Sequence, residues 1–550
     1  MSNTQNYRDS VDEADRLASP DEFDAVTRDS VDAPIPMATY SPRPSEDATQ
    51  PLHSQDTLPR WFGNPSTRKT RYRHWISQTT PTLKRIFRPR LTWRYILCSV
   101  LAVYVVFCWV RGSPLLATRL PGYTGPYRVG AIDIEVPLPG GPKQVADGVF
   151  KDSGDPAFKV GTVLATIYYP TTQAFRSRKA RLPWVSRPVS LTAKGYAKMV
   201  HVDNFLIRPI FTFGLWAIGG SITIPAEVDA PLFTSEDGEK DGKFPLMVFS
   251  HGMASSRSDY TNFLGELASR GHIIAAVEHR DGSCPGSVVK LDDKDPGRHA
   301  LFFRESDLLD EIDMEGFKKA QLAVRDAEIR GAIDLFHAIQ KGEDIGNTRD
   351  SVSTLSAWEG RLDLDRLTVG GHSYGATGAL QALSTVASSP TAIGGLILDP
   401  GKSSGPLNNK TDVPLLVVHS NSWSKSHSIF YGRPHFDAVR DLVRSAVSPS
   451  WFLTSLGTSH PSVTDAPLLE PWLLSWTTGA RLNTKEALEE YVRVAEEFLN
   501  VVEKGKTEGL LAEKVTHEEY DKWVSEERRQ EFPKDLARLW QIHVAPGENK

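Results

Sequence analysis

Cysteine is scarce. The 550-residue chain has three, too few for a disulfide framework, and Cys98 and Cys108 fall in one apolar stretch. Neither sign of charge is in excess: 63 Lys and Arg against 68 Asp and Glu leave a formal net charge of -5. That is too small, and of the wrong sign, for a nucleic-acid partner. No His and carboxylate spacing suggests zinc, and no phosphate loop or dinucleotide fingerprint occurs, so neither metal nor cofactor is expected. The 41 Gly and 37 Pro are unexceptional for this length and exclude a fibrous chain. Length allows about two to four domains, or one large α/β domain with extensions.

One long hydrophobic run is present. Residues 1–60 carry Pro20, Pro34, Pro36, Pro42, Pro44, Pro51 and Pro59 without apolar periodicity, so they bury too little to offset the entropy of ordering. Arg68, Lys69, Arg71, Arg73, Lys84, Arg85, Arg88, Arg90 and Arg94 follow, then Tyr95–Val110 with no charge. As a helix Tyr95–Val110 spans roughly 24 Å, and starting at Leu91 it approaches the ~30 Å of a hydrocarbon core. A core helix would keep a polar stripe, and a signal peptide would not follow such a long hydrophilic segment. The expectation is a disordered and then basic cytosolic tail over 1–90 and a transmembrane anchor over 91–111. The basic residues precede the span, which puts the N-terminus in the cytosol and the remainder in a lumen or outside the cell. That orientation would expose the sequon Asn409-Lys410-Thr411 to glycosylation.

From about residue 115 to 480, strand and helix patterns alternate. Continuous apolar runs at Pro245–Ser250, Ile273–Glu278, Gly395–Leu398 and Val413–Val418 read as buried parallel strands, joined by Val160–Tyr169, Arg366–Gly370 and Trp451–Ser455. Helical spacing covers Tyr260–Arg270, Gly316–Lys341 and Ala376–Val386. The alternation implies an α/β fold, a mainly parallel sheet with helices on both faces. Phe205–Ile218 breaks the rhythm and reads as a packed insertion, a lid or a membrane-facing patch. Residues 481–550 read as a charged, helical C-terminal extension.

Gly371-His-Ser-Tyr-Gly375 follows a strand and opens a helix. That turn exposes a serine hydroxyl at a helix N-terminus, where developing negative charge is favoured. A serine needs a base, and the base an orienting acid, in the order Ser, Asp or Glu, His. Asp399 ends one strand, and His460 follows the last of them. Ser373, Asp399 and His460 are therefore the candidate catalytic residues. His419, His435, Asp412 and Asp437 are rivals. An oxyanion needs two preorganised donors; the backbone N–H groups of Met253 and Tyr374 are the candidates, with Gly252 allowing close approach. His279, Arg280 and Asp281 either meet a lipid phosphate or brace neighbouring loops.

Phe249-Ser-His-Gly252, Val277-Glu-His-Arg-Asp-Gly-Ser283, Gly371-His-Ser-Tyr-Gly375 and the opening Leu120-Pro-Gly-Tyr-Thr-Gly-Pro-Tyr-Arg-Val-Gly130 together resemble the platelet-activating factor acetylhydrolase family. The resemblance covers roughly residues 115–475. It implies an α/β-hydrolase fold and calcium-independent cleavage of the sn-2 acyl ester of phospholipids. It places the nucleophile on Ser373, the acid on Asp399, the base on His460 and the oxyanion donors on Met253 and Tyr374. Mammalian members usually carry Phe where this chain has Tyr374. A general carboxylesterase or triacylglycerol lipase, or a membrane-tethered binding protein that has kept the fold, are the alternatives.

Overall fold

Apolar residues at every strand position, rather than at every second one, require a sheet covered on both faces. The computed structural model describes residues 92–234, 242–292, 294–349, 354–386 and 392–547. The tail expected over 1–90 lies outside the described residues. The chain divides at Arg111/Gly112 into two units. In the first, helix α1 (Trp93–Arg111) has 19 residues and is long and apolar enough to cross a membrane.

The second unit is built on a ten-stranded sheet. Its strands in chain order are β1 (Arg128–Pro137), β2 (Thr162–Thr171), β3 (Glu227–Val228), β4 (Phe244–Ser250), β5 (Ile273–Val277), β6 (Leu362–His372), β7 (Gly394–Leu398), β8 (Leu415–Ser420), β9 (Trp451–Ser455) and β10 (Trp540–Val544). Across the sheet they run β10-β9-β8-β7-β6-β4-β5-β2-β1-β3. The stretch from β9 to β5 is parallel throughout. β10 pairs antiparallel with β9, and β2 pairs antiparallel with both β5 and β1.

The helices that matter here are α2 (Val189–Met199), α3 (Ile207–Gly219), α4 (Thr261–Ala268), α5 (Met314–Gln340), α6 (Tyr374–Val386), α7 (His435–Arg444) and α8 (Thr484–Lys504). Alternate strand residues feed two cores. Leu246, Val248 and Ala275 pack with Ile329 and Phe336 of α5, Leu380 of α6 and Val439 of α7. Met247, Phe249 and Ile274 pack with Phe263 of α4 and Val494 of α8. The period of two in the strands therefore meets a helical layer on each side.

Two segments differ from the sequence reading. Phe205–Ile218 contains an ordinary helix, α3, because Pro209 falls in its first turn, where no intrahelical N–H is lost. Residues 481–550 open with the expected helix, α8, but do not stay helical. α8 packs into the core, and after short helices at Glu526–Glu531 and Lys534–Ala537 the chain ends in β10. Trp540 and Ile542 of β10 are fully buried, so this segment completes the sheet edge.

Candidate active site

Ser373 stands on the turn between β6 and α6 with φ of 57°, a left-handed conformation that costs a non-glycine residue energy. Its flanking glycines are sterically required. A Cβ on Gly371 would sit 2.2 Å from the Gly375 carbonyl oxygen, and one on Gly375 would sit 2.0 Å from the Ser250 carbonyl oxygen. The Ser373 N–H donates to Leu398 O at 2.9 Å, which ties the turn to the end of β7. Asp399 follows directly, itself at φ of 46°.

The structure brings Ser373, His460 and Asp399 together. His460 Nε2 lies 2.9 Å from Ser373 Oγ, and His460 Nδ1 lies 2.9 Å from Asp399 Oδ2. Asp399 is buried and also accepts from the Ser420 N–H at 2.6 Å and the Ser420 hydroxyl at 2.7 Å. Fixed donors of this kind keep a carboxylate aimed at the imidazole. Trp423 stacks on the His460 ring at 3.9 Å and 10° and anchors its own indole N–H on Pro400 O at 3.0 Å.

The loop after β4 runs beside the serine. A Cβ on Gly252 would lie 3.1 Å from Ser373 Cβ, so only glycine admits this approach without displacement. Among the described residues, neither the Met253 nor the Tyr374 N–H has a hydrogen-bond acceptor.

The rivals lie elsewhere. His419 is buried, with Nδ1 on Ser424 Oγ at 3.2 Å, and stacks at 5.5 Å on the equally buried His435. Asp437 pairs with Arg440 at 2.9 Å, and Asp412 is exposed. His279, Arg280 and Asp281 brace loops: His279 Nδ1 sits 2.9 Å from Glu328, Arg280 Nη1 donates to Glu135 at 2.7 Å, and Asp281 accepts from Arg325 Nε at 2.8 Å.

Sequence reasoning missed Ser420, Trp423 and His372. His372 Nδ1 lies 2.8 Å from the Tyr260 hydroxyl, which accepts the Gly252 N–H at 3.1 Å. Burial, then the neighbouring His460 ring, holds the His372 imidazole well below its ordinary value, so it is neutral. The ligand atoms of His372, Asp399 and His460 lie within 4.8 Å of one another, a spacing a metal could use. The Asp399 oxygens and His460 are already engaged with Ser420, Ser373 and each other, so the set is arranged as a hydrogen-bonded line.

A serine on the turn after β6, a carboxylate after β7 and a histidine after β9, on a sheet of this strand order, define an α/β-hydrolase fold. The family model of platelet-activating factor acetylhydrolase, isoform II, matches residues 115–531. The chain belongs to that family. It is 34% identical to platelet-activating factor acetylhydrolase of Cavia porcellus over 30% of this chain and 36% of that one. It is 27% identical to the Bos taurus protein of the same name over 53% of this chain and 62% of that one. A putative phospholipase A2 of Schizosaccharomyces pombe is 25% identical over 47% of this chain and 57% of that one. The matches thus span from about a third to under two thirds of these relatives' own lengths. A solved ferulic acid esterase from Streptomyces cinnamoneus has a TM-score of 0.49 at 16% identity, covering 78% of this chain and 99% of that one.

Proposed function

We propose that the chain is a serine hydrolase that cleaves the sn-2 acyl ester of phospholipids at a membrane surface, without calcium. The observation that carries the reading is the unbroken line from Ser373 Oγ through His460 to Asp399, with both links at 2.9 Å. In this reading His460 Nε2 takes the hydroxyl proton as Ser373 Oγ attacks the ester carbonyl. Asp399 holds Nδ1–H and stabilises the imidazolium. The oxyanion faces the Met253 and Tyr374 N–H groups. His460 returns the proton to the departing alkoxide of the lysolipid. Water, deprotonated by the same imidazole, then releases the acyl group from Ser373.

The similarity to platelet-activating factor acetylhydrolases and a putative phospholipase A2 supports a phospholipid over a simple ester. So do α3 and the turn before it, where Phe205, Phe213 and Trp216 are 81%, 62% and 47% exposed. An open groove of about 1030 Å³ beside these residues has an apolar wall and carries Arg187 and Arg208. Aromatic rings with guanidinium groups at their edge suit the boundary between headgroup and acyl chain. We read α1 as a single-pass anchor with the N-terminus cytosolic and the hydrolase unit luminal or extracellular. On sealed microsomes protease is expected to digest the N-terminus and to spare the hydrolase unit, and digestion of the hydrolase unit with protection of the N-terminus would reverse the orientation.

The test of the chemistry is a substrate panel on the full chain in detergent, with EDTA present. Short-acyl phosphocholines are expected to outperform triacylglycerols and simple esters. Ser373→Ala is expected to abolish labelling by an organophosphate probe and to lower kcat by about four orders of magnitude or more. Asp399→Asn and His460→Ala are expected to fold and to be severely impaired. Undiminished labelling of Ser373→Ala would exclude it as nucleophile.

A further inference from the structure

α5 crosses the core with a polar stripe. Lys318, Gln321, Arg325 and Glu328 are spaced by three, four and three residues and therefore share one face. Gln321, Arg325 and Glu328 are buried, where polar side chains persist only when satisfied.

Arg325 is fully buried, and its fork reaches two loops at once. Nη1 donates to the His251 carbonyl oxygen at 2.7 Å and to Ser250 Oγ at 3.2 Å. Nε donates to Asp281 at 2.8 Å, and Nη2 donates to Ser283 Oγ at 2.6 Å. The guanidinium carbon also lies 4.4 Å from the centre of the Tyr374 ring. Burial pushes the Asp281 carboxyl up, but the Arg325 charge and the Ser283 donors bring it below the ordinary carboxylate value. The Asp281 carboxylate is therefore favoured in its charged form beside the guanidinium.

The other contacts extend the same grip. The Tyr374 hydroxyl donates to Gln321 Oε1 at 2.8 Å, and Gln321 Nε2 donates to Asp281 O at 3.0 Å. On the far side of the loop the Ala254 N–H donates to Ser283 O at 2.9 Å. The loop over 251–254 belongs to no helix or strand, so only such contacts fix its backbone. Met253 lies two residues beyond the carbonyl that Arg325 holds, and Tyr374 carries the ring that Arg325 covers.

We propose that Arg325 is the positioning residue of the oxyanion site: one guanidinium sets the separation of the Met253 and Tyr374 N–H groups by holding both of their segments. The inference rests on the reading that these two amides receive the oxyanion. Donors must lie about 2.7–3.1 Å from the developing charge, so a small splaying of the pair weakens the transition state more than the ground state. A lysine cannot substitute. Its point charge can meet Asp281 but cannot also hold His251 O and cover a ring.

The experiment uses the full chain in detergent, with kcat and KM measured on a short-acyl ester per serine titrated by an organophosphate. Arg325→Lys keeps a positive charge opposite Asp281. Its kcat is expected to fall about 100-fold with KM nearly unchanged. The pH profile, which reports His460, is expected to keep its shape. Tyr374→Ala retains its amide but loses the covered ring. It is expected to lose kcat similarly, and the double variant to be no worse than the poorer single one. A merely structural role would lower thermal stability and the titratable fraction but leave kcat per titrated serine intact, and that result overturns the proposal. If Arg325→Lys yields no folded protein, full kcat per titrated serine in Tyr374→Ala overturns it instead. Ser373→Ala is run in parallel. If it retains turnover, the reading of the site fails, whereas a dead Ser373→Ala beside a fully active Arg325→Lys removes only the inference.

Discussion

Ser420 shows how much of the site depends on residues that never meet substrate. It gives Asp399 both its N–H and its hydroxyl, at 2.6 and 2.7 Å. The imidazole adds a third donor to the same carboxylate. Removing the hydroxyl leaves one Asp399 lone pair unsatisfied in a buried place and loosens the orientation of His460. Hydrogen bonds to charged groups contribute roughly 1.5–3 kcal/mol. Ser420→Ala is therefore expected to lower kcat about tenfold or more, with KM little changed. The check is kcat per titrated serine; an unchanged value would show that the backbone N–H alone suffices.

Two elements carry separable jobs. α3 presents Phe213 and Trp216 outward, although an apolar helix of this kind would ordinarily turn such side chains into a core. In the hydrolase unit freed of α1, Phe213→Asp is expected to abolish vesicle binding and activity on vesicle-borne phospholipid while activity on a dispersed short-chain ester and the melting temperature hold. A joint fall of all four would assign the helix to the core. β10 is the opposite case. Trp540 and Ile542 are buried against β9 and α8, and Val544 is buried on the other face with Val439 and Val443 of α7. Ile542→Asp would bury a charge without a partner and is expected to destabilise the fold by about 3 kcal/mol or more. Thermal melting of the full chain checks this, and a near-normal melt would make the C-terminal strand dispensable.

At the scale of the whole molecule, buried titratable groups set the pH range of stability. Burial lowers His251 to about 4, His435 to about 3 and His543 to about 3, against an unfolded value of ~6.5. Below pH ~6.5 the unfolded chain binds protons that the native one refuses, so these groups make stability fall as pH drops towards 4. Burial also raises Asp259 to about 7 and Glu328 to about 8. Their contribution is full below the unfolded carboxyl values and is lost as pH rises through 7 to 8. His279, His372 and His419 are depressed as well, so histidines outweigh the two acids on the acid side. The melting temperature of the full chain is therefore expected to peak near pH 6.5 and to fall steeply towards pH 4.5 and gently towards pH 8. A flat profile between 4.5 and 6.5 would mean that the histidines are not held neutral by burial.

The parallel strands were legible because a strand covered on both faces must be apolar throughout, as Pro245–Ser250 and Ile273–Val277 are. Ser373, Asp399 and His460 were legible because each ends or follows such a strand, and strand ends in a parallel sheet share one edge. The long run at 93–110 declared a helix by composition alone. Tertiary structure decided the rest. β10 is a five-residue alternation after a charged helical segment, and only its pairing with β9 makes it part of the sheet. The exposure of α3 depends on what the domain leaves uncovered, which no periodicity records. Ser420, Trp423 and Arg325 meet the site across many residues of chain. Their side chains look like ordinary polar or aromatic positions until the sheet closes and desolvation gives each contact its strength.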